Sequence, residues 1–171
     1  LEWWAGQITL LLELEREIDD IIAPEAIVRD SASQELFTVR RKINTLKNRI
    51  RERLEHIVRS ESSSKYLQDA LVTIRNDRYV VPVKQEYRTE FDGLVHDISS
   101  SGATIFIEPT AVVEANNRIR ILESKERDEI LRIIAELSSE VASFADSIKI
   151  SYEALVEIDS VFAKANYAYK T

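Results

Sequence analysis

His96 and Asp97 stand side by side in "LVHDISSSGATIFIEP", and a histidine beside a carboxylate is the pairing a general base needs. The stretch is rich in β-branched residues, and neighbours along a strand point to opposite faces. The pair therefore reads as a hydrogen-bonding element of a sheet and not as a catalytic dyad. The other histidine, His56, lies in a basic helical stretch too far along the chain to join it. With two histidines and no cysteine, disulfides and thiolate metal sites are excluded, and no loop has EF-hand spacing. Nor does any GxxxxGK[ST] run exist to cradle a nucleotide phosphate. The sequence thus assigns no catalytic residue, no metal ligand and no cofactor-binding residue to this chain, and no small-molecule substrate.

What remains is chemistry directed at phosphate. "SSSGAT" can form a turn whose successive amides point one way, with Ser100, Ser101 and Gly102 at its apex. It can equally be a plain hairpin turn. Arg75, Arg78, Lys84 and Arg88 fall in the same extended region and could neutralise phosphates without reading sequence. Acidic Glu86, Glu90 and Asp92 sit among them and weaken such a patch. A second candidate is a basic stripe between Arg40 and Arg59. It holds Arg40, Arg41, Lys42, Lys47, Arg49, Arg51, Arg53 and Arg59 against two acidic residues, a local +6 in a chain of net charge −7. Charge segregated in this way attracts a polyanion locally, although a solvated helix face paired with an acidic neighbour has the same signature.

The elements that position these residues follow from periodicity. Apolar residues at helical spacing predict a first helix from Trp3 to about Ile22, ended by Pro24. Leu36, Val39, Ile43, Leu46, Ile50, Leu54 and Ile57 predict a long second helix over residues 34–60, with Ser31 and Gln34 as a capping box or Ser33 as the cap. From Leu71 to Ile107 the pattern changes to short strands broken at Asn76-Asp77, Asp92-Gly93 and Ser101-Gly102, the marks of hairpin turns. Pro82 cannot donate to a ladder, which predicts an edge or bulged strand. Helical spacing returns at Thr110 for about 38 residues by pattern, and "YEALVEIDSVFAKANYAY" closes the chain as a last helix. The fold class expected is mainly α with a small β tip: residues 1–70 and 108–171 form long antiparallel helices, and residues 71–107 an antiparallel sheet inserted between them. The expected shape is elongated.

Composition is consistent with this reading. A chain of 171 residues with 44% hydrophobic and 31% charged content suits one domain of extended helices with solvated faces. No apolar run approaches a membrane span, and neither signal peptide nor cysteine is present, so a cytoplasmic location is expected. Methionine is absent as well, as expected of a piece of a larger protein.

One segment carries a resemblance. His96 to Pro109 has the pattern His-Asp-x-Ser-x-Ser-Gly-x-Thr-x-Phe-Ile-Glu-Pro, which resembles the clamp and lever region of the second bacterial MutS paralogue, the MutS-two family. "DSASQEL" at Asp30 to Leu36 and the run Arg75 to Val83 fit as well, with Gln34 where the family usually has proline. The resemblance implies a homodimeric ATPase using ATP and magnesium at a site outside these residues, with an Smr-type endonuclease domain also outside them. It implies DNA as partner, through branched structures whose recombination is suppressed, or the rRNA of stalled or collided ribosomes during rescue. No mismatch-reading domain is present. The alternative expectation is a structural coiled-coil spacer or dimerisation arm that binds nothing.

Overall fold

The computed structural model describes residues 1–170. The chain folds as two compact units, one formed by Leu1–Gln34 with the chain from Glu129 onward, the other by Glu35–Asp128.

In the second unit the apolar spacing of α3 (Gln34–Arg59) buries Leu36, Val39, Ile43, Ile50, Leu54 and Val58 along one stripe. The N-terminal part of α5 (Thr110–Ser143) presents Val112, Ile119 and Leu122 to it. The two run antiparallel: Arg40 pairs with Glu126 at 2.7 Å, and Lys47 with Glu123 at 3.1 Å. Between them in sequence, after the single-turn helix α4 (Glu61–Ser64), lie four strands: β1 (Thr73–Arg75), β2 (Arg78–Lys84), β3 (Gly93–Ile98) and β4 (Thr104–Pro109). All neighbours are antiparallel, in the spatial order β1-β2-β4-β3. Val81, Val83, Ile105 and Ile107 turn one face of the sheet onto Ile50, Leu54, Val112 and Ile119. Each fully buried aliphatic side chain stabilises by about 1.5–3 kcal/mol, so sheet and helices share one core.

Turn chemistry differs from one strand connection to the next. Asn76 and Asp77 take φ of 51° and 59°, the left-handed pair that a two-residue hairpin requires. The β3–β4 turn is closed by Gly102, whose amide donates to the Ser99 carbonyl at 2.8 Å and whose φ is 74°. Asp92-Gly93, expected as a hairpin turn, is not one. β2 and β3 are not neighbours, because β4 lies between them and a 3-10 turn at Gln85–Tyr87 begins the crossing. Gly93 is required there because a Cβ would strike the Glu108 carbonyl and the Ile107 side chain on β4.

Pro82 also differs from expectation, since β2 is an inner strand. β1 pairs only with residues 78–80, and beyond it the Pro82 carbonyl accepts from the Gln68 amide of an irregular segment. The missing proline N–H falls on that same side, opposite Gln68, where the β1 ladder has ended and a single Leu67–Val83 bridge takes its place.

In the first unit the predicted helix from Trp3 is split into α1 (Glu2–Ala5) and α2 (Leu12–Ile21). Gly6 closes α1 by donating to Glu2, and the Thr9 amide leaves helical bonding to donate to the Ser151 hydroxyl at 2.9 Å. The last helix, α6 (Ala145–Lys170), begins after Phe144, earlier than its apolar pattern suggested. Leu14, Val28, Ile133, Leu137 and Ala154 are buried in this unit, while Leu1, Trp3, Tyr152, Leu155 and Phe162 are exposed. Glu129 takes hydrogen bonds from Arg132 and from the Ser33 hydroxyl at 2.7 Å, which together hold its carboxyl down to about 2. Among the described residues, no helix is long and apolar enough to cross a membrane.

Candidate nucleic-acid interface

The sheet face turned away from the core carries the cations expected to meet phosphate. Alternation along β2 puts Arg78, Val80, Pro82 and Lys84 on that face, and Thr104, Phe106 and Glu108 join them from β4 through the register Pro82↔Phe106 and Lys84↔Thr104. Glu108 has no contact with solvent. A buried carboxylate is expensive unless fully partnered, and this one is. Arg78 donates to both of its oxygens at 2.9 and 3.2 Å, Asn116 of α5 donates at 2.6 Å, and His96 donates through Nε2.

A β-bulge delivers His96 to this position. Val95 pairs with Ile107 and Asp97 with Phe106, so β3 carries one residue more than β4 at that point, and the extra residue is His96. Its carbonyl takes a hydrogen bond from Asn76 at 2.8 Å. The strand-alternation argument against a His96–Asp97 dyad assumed a regular strand. With the bulge in place the two side chains still separate, His96 going to Glu108 and Asp97 to Arg75 at 3.4 Å.

Asn116 completes the assembly. It occupies a core position of α5 between Val112 and Ile119, and its amide bonds both the N–H and the carbonyl of Tyr79. Arg78 reaches the same helix through Asn117 at 2.6 Å. One buried network therefore ties β2, β3 and β4 to α5. Neither Glu108 nor the two asparagines were singled out as contacts from the sequence, where "EP" before a helix reads as entry geometry. The available signal was an acid on an otherwise apolar strand, with an asparagine at a seam position of the helix that follows.

The predicted phosphate contacts are thus dispersed. Arg78 is held in the network with its side chain 13% exposed. Arg75 lies 4.2 Å over the Phe106 ring and pairs with Asp97. Lys84 donates to the Lys65 carbonyl and lies near Tyr87. Arg88 is exposed, and among the described residues nothing engages its side chain. In the turn, the Ser99 hydroxyl accepts from the Thr104 amide and the Ser101 hydroxyl from the Ala103 amide. The exposed Ser100 and Ser101 keep their own amides outside these bonds.

The second candidate set divides cleanly. Arg40 and Lys47 are engaged by α5, as described. Arg41, Lys42, Arg49, Arg51 and Arg53 are exposed, and among the described residues no ion pair or side-chain hydrogen bond reaches them. Arg51 lines a groove beside β1 with Val58, Leu71 and Ile74. No group of three or more His, Asp or Glu side chains among the described residues is placed to hold a metal ion.

Comparison with known proteins gives a consistent result. No family model matches the chain. It is 48% identical over 170 residues to a protein named Endonuclease MutS2 from Geobacillus sp. (strain WCH70), covering 99% of this chain and 22% of that protein. A relative of the same name from Pelotomaculum thermopropionicum is 53% identical over 166 residues, covering 97% and 21%. The protein named Putative endonuclease MutS2 from Bacillus subtilis is 47% identical over 164 residues, covering 96% and 21%. The chain spans about one fifth of the length of these relatives.

Proposed function

The chain belongs to the MutS2 family, and from that premise we propose that it is the part of such a protein that grips nucleic-acid backbone. In this reading α3 and α5 are an elongated lever, and the sheet is the clamp it carries. The observation that supports it most is the Glu108 network. It joins three strands to α5 through charge-assisted hydrogen bonds, so the sheet moves with the helix instead of hinging on it. A device that reaches and holds needs that stiffness. The exposed cations, Arg88 beside the sheet and Arg41, Lys42, Arg49, Arg51 and Arg53 on α3, offer charge without base-reading geometry, which suits recognition of backbone and shape.

The target is branched DNA, in suppressing recombination, or ribosomal RNA, in rescuing stalled or collided ribosomes. The whole protein acts as a homodimeric ATPase with an Smr-type nuclease domain, and ATP and magnesium are handled outside these residues. Binding of this chain to four-way DNA and to ribosomes, titrated with salt, tests the reading. Binding to either that weakens steeply as salt rises supports it, because each neutralised phosphate releases counterions.

A specific observation favours a second reading, in which the segment is a spacer that binds nothing. Residues 71–109 hold four basic and six acidic residues, and two of the four cations are ion-paired. Absence of salt-dependent binding to both targets would select the spacer.

A further inference from the structure

The nucleic-acid reading leaves open which surface meets the phosphates, and the disposition of α3 bears on that directly. At 100° per residue, Lys42, Arg49 and Arg53, spaced i, i+7 and i+11, fall within about 40° of one another on the helix. Arg40 and Lys47, which face α5, lie about 150° further round. The three side chains thus form one line on the flank of α3 away from α5. All three are exposed, and among the described residues none has an ion-pair or hydrogen-bond partner. Arg49, Arg53 and His56 line a shallow depression together with Glu52, the one carboxylate there.

The chemistry of this line selects its partner. Protein interfaces are organised around buried aromatic or aliphatic anchors, with charge depleted at the centre. The Lys42–Arg53 line has no such anchor. Its exposed neighbours are Thr45, Glu52 and His56, and the one exposed large apolar residue of the helix, Phe37, points elsewhere. The rise along the helix separates Lys42 from Arg49 by about 10 Å and Arg49 from Arg53 by about 6 Å. Those steps are close to the widths of the major and minor grooves of B-form DNA, about 12 and 6 Å, across which that duplex presents its phosphate rims.

We propose that Lys42, Arg49 and Arg53 form a contact line for the phosphate rims of double-stranded DNA, with α3 laid against the duplex. This rests on the nucleic-acid reading above and names its surface: the helix flank, not the sheet.

The test uses this chain with a short DNA duplex, an RNA duplex of the same sequence and the corresponding single strands, followed by fluorescence anisotropy across salt. The variant Lys42→Gln/Arg49→Gln/Arg53→Gln keeps good helix formers and removes three charges. The control Arg41→Gln/Arg51→Gln/Arg59→Gln removes three charges of the same helix off the line. Removing three phosphate contacts makes the log–log salt slope on duplex DNA shallower by about 2.7, which narrows the affinity gap to the unaltered chain by about 40-fold between 50 and 200 mM salt. The control is expected to keep most of its slope, and all three proteins their thermal midpoint. Tighter binding of the DNA duplex supports the line, and tighter binding of the RNA duplex overturns it, because A-form RNA has a narrow major and a wide minor groove. Equal effects of variant and control, an unchanged slope in the variant, or binding confined to single strands overturns it while leaving nucleic-acid binding intact. If the unaltered chain binds none of the four, the contact line is overturned, and the parent reading is decided separately by the titration with four-way DNA and ribosomes.

Discussion

Arg78 on β2 holds its guanidinium against a carboxylate that solvent does not reach, while Arg49 on α3 has neither an acid nor a hydrogen-bonding group engaged with it. Both were candidates for phosphate, and in a charge count they are equivalent. The fold separates them. Strand alternation and the β4 register bring Arg78 to Glu108, where its charge balances a buried acid and its donors are satisfied. Helix periodicity turns Arg49 to a flank that no other element of its unit engages. The sheet's arginines belong to the structure's own electrostatics, while Arg49 and Arg53 of α3 remain available to a partner. Whether a charge is available is decided by topology, which composition does not contain.

The sharpest way to break this comparison is to treat Arg78 as if it were a surface residue. Arg78→Gln leaves the Glu108 carboxylate buried and short of its countercharge, and is expected to cost about 3–5 kcal/mol in urea denaturation. Glu108→Ala should cost a similar amount, and the double variant much less than the sum, since each single change strands the other partner. A loss below about 1 kcal/mol for both singles, the size of a surface pair, would show that the network does not hold the sheet.

Arg75 is the intermediate case. Its pair with Asp97 is half-exposed, and its stacking on Phe106 adds a modest cation–π contact. Arg75→Gln is expected to cost about 1 kcal/mol by the same measurement. A value near that for Arg78→Gln would place Arg75 inside the network.

The first unit offers a parallel that is silent at neutral pH. Glu129 is held down to about 2 by hydrogen bonds from Arg132 and then Ser33. A depressed carboxylate contributes stability above its ordinary range and loses it on acidification. The contribution should disappear as pH falls from about 4.5 towards 2. In urea midpoints measured against pH, Glu129→Gln should flatten that acid limb, and Ser33→Ala should make it less steep. An unchanged limb in Glu129→Gln would remove the group from the account. Smallest of all is the expected effect of Arg49→Gln on stability, within about 0.5 kcal/mol, as for a surface change away from special features. A larger loss would mean that Arg49 is not the free cation the comparison requires.

How much was legible follows the same division between local and tertiary information. The extent of α3 was readable because its apolar seam is unbroken, and the reading of residues 34–60 meets the observed Gln34–Arg59. Four strands were readable from β-branched clusters and punctuation, and the Asn76-Asp77 hairpin from turn chemistry. Strand order was not, because alternation tells which residues share a face and nothing about which strand lies beside which. Gly93 was therefore assigned to a turn, when it serves a close approach to β4. The Glu108 network was hidden for a related reason. His96 reads as a hydrogen-bonding group of the sheet and Glu108 as helix-entry geometry, and nothing joins them to Asn116 until a bulge and a register bring the three together. The split of the first helix turned on Gly6 and on the single bond from Thr9 to Ser151, a contact that periodicity does not reach.

The position of β4 also sets a timetable for synthesis. β2 is complete at Lys84, yet the strand that covers its inner edge begins only at Thr104. At a ribosomal rate of about 5–20 residues per second, the run Tyr79–Val83 waits roughly 1–4 s with its inner edge unpaired. Such a segment is a site for edge-to-edge association between nascent chains. Pro82 sits in the middle of it. Its missing N–H faces the other edge, toward Gln68, so only that outer edge loses a donor, and the edge awaiting β4 stays open to a foreign strand until β4 is made. In the finished fold the same residue falls where β1 has already ended and only the isolated Leu67–Val83 bridge follows. Pro82 thus removes a donor from the outer edge of β2 and leaves the edge that waits for β4 unguarded.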